Sequence, residues 1–175
     1  SQNLKHIQAA RASLLAIFFL HGAVFAAWIS RIPEVKSALH LTTGQLGLSL
    51  LGIAAGCLIS MPLTGYMVSR YGSRPVTAIA SLLFCSALIA PGFAWSQWTL
   101  AGALCLLGLA AGGMDVGMNA HAVVVERVAQ RPLMSGFHAF FSIGGMAGAA
   151  LGGVVAGFGI WPRAHFIGGG IISVA

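Results

Sequence analysis

Between Ala12 and Gly159 the sequence is a succession of five apolar stretches separated by short polar turns. Each matches the length of about 20 residues that a helix needs to cross a bilayer. The expected spans are 12–29, 46–68, 76–94, 98–125 and 135–159, with a sixth starting at about residue 164. That last stretch ends with the sequence at Ala175 and is expected to be truncated within the span. In hydrocarbon no water can satisfy backbone N–H and C=O groups, so long continuous apolar runs without period-two alternation predict helices. Only 7% of the 175 residues are charged and 58% are hydrophobic, whereas a soluble domain has about 25% charged residues. The expectation is an all-α integral membrane protein in a lipid bilayer.

The net charge of +6 does not point to nucleic acid, because the basic residues are scattered over helix ends and turns. Lys5, Arg11, Arg70, Arg74, Arg127 and Arg131 fall on one side of the expected topology, and Arg31, Lys36 and Arg163 on the other. The richer side is expected in the cytoplasm, together with the amino terminus. Cys57, Cys85 and Cys105 each lie in a different apolar run, with no CxxC spacing. Neither metal ligation nor redox chemistry is expected of them. No nucleophile–base pairing appears, so no catalytic residue, metal or cofactor is expected, and the chain does not read as an enzyme.

The turns carry local signals. Thr42-Thr43-Gly44-Gln45 reads as a capping box with Thr42 as N-cap. Pro75 suits the first turn of the third span, and Pro91-Gly92 is expected to fray its far end. Arg31 to Leu41 reads as a polar connection. Gly52, Gly56 and Ser60 are spaced by four residues in the second span. In the fifth, Gly144, Gly148 and Gly152 form one such ridge, and Gly145, Ala149, Gly153 and Gly157 a second. Ridges of small residues let helices approach closely in lipid.

The fourth span contains Gly112-Gly113-Met114-Asp115-Val116-Gly117-Met118-Asn119. Asp115 is the one acidic residue deep inside an apolar run. A carboxylate at that depth costs about 3 kcal/mol or more, so it faces a polar cavity or a partner and marks a pathway. Asn119 lies at i+4 on the same face. The structural alternative is a carboxylate that hydrogen-bonds a neighbouring helix. In the first span Phe18, His21, Phe25 and Trp28 form one stripe, which serves either packing or a binding wall; Trp28 could also anchor at the membrane interface. His138 lies near the start of the fifth span.

Gly65-Tyr66-Met67-Val68-Ser69-Arg70-Tyr71-Gly72-Ser73-Arg74 resembles the loop 2–3 motif of the major facilitator superfamily. Gly65, Arg70, Gly72 and Arg74 match it, while Ser69 stands where the family usually has Asp. The loop helps to latch the two halves of such proteins on the cytoplasmic side. The paired glycines followed by Asp115 and Asn119 look like the fucose-permease branch, as does His138 to Gly145 like related inner-membrane permeases of unassigned substrate. Fucose permease also has a first-span carboxylate, and this chain has none between Arg11 and Glu34.

The resemblance implies a twelve-span fold of two six-helix bundles, each made of two inverted three-helix repeats. Residues 1–175 would form the amino-terminal bundle, with the carboxy-terminal six-helix half as its partner, in the inner (plasma) membrane of a bacterium. Spans one and four would line a central cavity. Asp115 would then couple protons, with His21, Phe25, Trp28, Asn119 and His138 around a small polar, sugar-like solute. Secondary active symport with protons by alternating access is the leading expectation. A drug/proton antiporter is the first alternative, although Ala149 stands where its span-five Pro would fall and span four has no Arg. A non-transporting receptor or scaffold with the same fold is the second.

Overall fold

The computed structural model describes residues 2–174, with side chains from 6 to 173. It is helical throughout, with no strand among the described residues. The helices are α1 (Gln2–Ser30), α2 (Ile32–Ala38), α3 (Thr43–Tyr71), α4 (Ser73–Ala87), α5 (Gln97–Ala129), α6 (Met134–Gly157) and α7 (Pro162–Val174), with a 3-10 turn at Ala90–Phe93 between α4 and α5. Among the described residues, five helical segments are long and apolar enough to cross a membrane.

Helix ends follow the local chemistry. Gln45 N donates to Thr42 Oγ1 at 3.2 Å and Thr42 N donates to Gln45 Oε1 at 2.9 Å, which completes the capping box at the start of α3. Ser96 and Thr99 build an equivalent box at α5. Gly72, at φ +87°, separates α3 from α4 in a conformation that favours glycine. Pro91 bends the far end of the third span into the 3-10 turn, so α4 stops at Ala87. The expected polar connection after Arg31 is instead the short helix α2. Pro33 sits where no helical N–H is needed, Glu34 suits the first turn, and buried Val35 ties it to the core.

Two helix pairs dominate the packing, α3 with α5 and α1 with α6. Both are closed by small residues. On α3, Gly52 and Gly56 lie against the backbone of Ala101 and Cys105, while Gly108 on α5 lies against Ile53. Cys57 Sγ and Ser49 Oγ add hydrogen bonds to Gly108 O and Gln97 O, each at 3.3 Å. On α6, Gly144 and Gly148 lie against the backbone of Phe19 and Ala23, and Gly152 against Ser30. Exchanging α1 with α5, α3 with α6 and α4 with α7 therefore maps one tight pair onto the other, as inverted three-helix repeats require. Of the two ridges on α6, the one at 144, 148 and 152 is buried, whereas Gly153 and Gly157 have nothing within 4 Å. Large side chains such as Leu51, Leu58 and Leu151 point outward, an order suited to lipid, which is as apolar as they are.

Candidate functional site

Along α5, Ala111 to Met114, Gly117, Met118 and Ala122 are buried, while Asp115, Val116, Asn119 and Ala120 form a half-open strip. The strip follows from helical spacing, since residues i, i+1, i+4 and i+5 share a face. Asn119 Nδ2 donates to Asp115 Oδ1 at 3.2 Å and to the Asp115 carbonyl at 2.9 Å. These bonds stay within α5, so the carboxylate does not tie that helix to a neighbour in this half of the fold. Arg31 with Glu34 is the one ion pair among the described residues, so Asp115 has no cation at contact distance.

His21 lies on α1 and is 7% exposed. Its ring is buried between Phe84 of α4, at 4.8 Å, and Phe141 of α6, at 5.5 Å, both edge-on. Its Nδ1 is buried without a hydrogen-bond partner. The imidazole thus sits where α1, α4 and α6 meet.

The other residues expected around a solute separate. Trp28 is 1% exposed and packs on Phe166 of α7 at 5.9 Å. In this half of the fold α7 covers it. Phe25 is partly buried against the same core. Phe18 is fully buried and stacks on Phe137 at 5.5 Å. The first-span stripe is therefore mainly packing. His138 is exposed, with its ring edge-on to Phe18 at 5.3 Å.

At the 69–75 turn, Ser69 Oγ donates back to Tyr66 O in its own helix at 2.7 Å and caps no helix start. Gly65, Arg70 and Arg74 are exposed. Ser73 shares a hydrogen bond of 3.0 Å with His121 Nδ1 of α5, which ties the turn to that helix. Nearby, Leu133 N and Met134 N donate to Glu126 Oε2 at 2.6 and 2.8 Å, so Glu126 of α5 caps the start of α6. Sequence reasoning assigned neither His121 nor Glu126. The positions of Ser73 and His121 at facing helix ends were the available signal for the first. Glu126, seven residues before Leu133, was the signal for the second.

A bundle closed by glycine ridges, two inverted three-helix units and the 69–75 turn between its second and third spans agree with a comparison of sequences. The Major Facilitator Superfamily profile matches residues 13–175. The chain belongs to the Major Facilitator Superfamily. An uncharacterised MFS-type transporter of Yersinia pestis is 42% identical over 139 residues, which cover 79% of this chain and 36% of that protein. An uncharacterised transporter of Sinorhizobium fredii is 37% identical over 150 residues, 86% of this chain and 40% of that protein. The membrane protein MosC of Rhizobium meliloti is 37% identical over 158 residues, 90% of this chain and 39% of that protein. The chain thus spans well under half the length of these relatives, and it fits the amino-terminal half of the major facilitator fold.

Proposed function

We propose that the full protein is a secondary active transporter of a small polar solute, driven by proton symport through alternating access. The observation that carries this reading is Asp115, a half-buried carboxylate inside a membrane helix with an amide beside it and no cation in contact. Such a group is costly in lipid unless it faces a water-filled pathway. Protonation removes its charge, and the solute-loaded carrier then changes state without moving a bare carboxylate through an apolar constriction. Asn119 offers a hydrogen bond to the solute, and His21 acts on Asp115 through space.

The same reading places the chain on the fucose-permease-like branch, in the inner membrane of a bacterium, with its amino terminus in the cytoplasm. The carboxy-terminal six-helix half covers the open strip of α5 and the second ridge of α6. Support comes from the bias of basic residues to the 69–75 and 126–132 turns and from Gly153 and Gly157, small but uncovered here.

The test is a screen of sugars, cyclitols and small organic acids for solute-dependent proton uptake in proteoliposomes of the full protein. Symport predicts that at least one solute drives proton entry with its own. Proton movement opposite to the solute would indicate antiport. A solute that binds without either flux would indicate a receptor.

A further inference from the structure

The end of the bundle that carries the α1–α2 and α6–α7 connections holds a second polar cluster, remote in sequence from Asp115. Arg31 is 1% exposed, which is unusual for a charged side chain. Its Nη2 donates to the carbonyl of Ile160 between α6 and α7. Its Nη1 lies 3.6 Å from Glu34 Oε1, beyond hydrogen-bonding distance. Nε and Nη1 have no hydrogen-bond partner, and neither has Glu34 Oε2 or Nδ1 of His165 on α7. A guanidinium has five N–H donors, and this one, buried, makes a single hydrogen bond.

Arg31 and Glu34 border a cavity of about 520 Å³ with Ser37, Trp161 and Pro162 on its other walls. That volume suits a small solute. Glu34 lies at 3.6 Å from the guanidinium without hydrogen-bonding it, and its side chain is 38% exposed, so its displacement would open the guanidinium edge to the cavity. Arg31 and the α6–α7 connection form two of its walls, joined at one edge by the hydrogen bond from Arg31 to Ile160 O.

We propose that this cavity is a binding site for the oxyanion of a small organic acid, a carboxylate or a sulfonate, anchored by Arg31. The anion takes the place of Glu34 beside the guanidinium and accepts from Nε and Nη1, the geometry for which arginine is suited. In the proposed orientation the site faces away from the cytoplasm. It requires no proton coupling at Asp115, so the two readings fail separately.

The experiment is thermal stabilisation of the purified full-length protein in neutral detergent by sodium acetate and sodium methanesulfonate, against sodium chloride at equal ionic strength. Saturable stabilisation by at least one of the two organic anions is expected. R31K should weaken its apparent affinity about tenfold or more, as loss of hydrogen bonds between charged groups implies. E34Q leaves Arg31 intact and should strengthen binding several-fold, which keeps the test decisive if R31K misfolds. Equal responses to chloride and to the organic anions would overturn the proposal. So would unchanged anion affinity in E34Q with lowered stability, the signature of a purely structural ion pair. Stabilisation by a short-chain phosphatidylglycerol but by neither soluble anion would overturn it as well, by assigning the cluster to lipid.

Discussion

A methyl group added at Gly148 tests whether the two helix pairs are locked by their glycine ridges. An alanine Cβ there would overlap the Ala23 carbonyl oxygen and lie 2.8 Å from Ala23 Cα, both in the backbone of α1. Neither atom is the end of a flexible side chain, so α1 and α6 must separate. Overpacking of this kind costs about 1–3 kcal/mol, offset by up to about 1 kcal/mol because alanine favours a helix over glycine. The net expectation for Gly148→Ala is a loss of about 1–2 kcal/mol. Gly56 on α3 occupies the equivalent place in the other repeat. A Cβ there would overlap Cys105 O and lie 2.8 Å from Gly108 C, so Gly56→Ala should lose a similar amount. Gly102, exposed on α5 with nothing within 4 Å, is the control, and Gly102→Ala should be neutral or stabilising. Unfolding of the full protein in mixed micelles, with each variant measured against the parent, gives the ranking. If Gly148→Ala is as stable as Gly102→Ala, the close approach of α1 and α6 is wrong, and with it the repeat correspondence.

Other expectations follow from single contacts. Thr42→Ala removes the side-chain half of the capping box and should cost about 1 kcal/mol in the same unfolding assay, with rescue by Thr42→Ser. Glu126→Gln replaces the charged acceptor of Leu133 N and Met134 N by a neutral one; faster hydrogen exchange at the first turn of α6 should result, and unchanged exchange would remove Glu126 as its cap. A Cβ at Gly153 meets no atom within 4 Å in this half, yet Gly153→Leu should impair assembly of the full protein if the second ridge packs on the carboxy-terminal half. A monodisperse, parent-like elution profile would refute that. A cysteine introduced at Ser73 should react in intact cells only with membrane-permeant reagents, and ready labelling by an impermeant one would reverse the proposed orientation.

The parts of the fold that depend on local chemistry are legible in the amino-acid sequence. Hydropathy locates the spans, and Thr42 with Gln45 announces the start of α3. The small-residue spacing of Gly52, Gly56 and Ser60 announces its packed face. What is not legible depends on partners distant in the chain. The two ridges of α6 have the same period and nearly the same composition, so nothing local says that Gly148 faces α1 and Gly153 does not. Trp28 looks like a cavity wall or an anchor until α7 is seen to cover it with Phe166. Arg31 reads as a loop residue, because its burial depends on Ile160, far along the chain. Within the candidate site, the pairing of Asp115 with Asn119 is legible as an i, i+4 spacing on one helix. The aromatic enclosure of His21 is not, since Phe84 and Phe141 come from two other helices.

In the proposed mechanism Asp115 carries the coupling proton. Asp115→Asn keeps the shape and hydrogen-bonding capacity of the protonated acid while removing its titration. The decisive measurement compares two fluxes of one solute in proteoliposomes of the full protein: accumulation driven by an imposed pH gradient, and counterflow without a gradient. Asp115→Asn is expected to lose accumulation and keep counterflow. Accumulation by Asp115→Asn equal to that of the parent would contradict the mechanism and leave Asp115 a structural carboxylate.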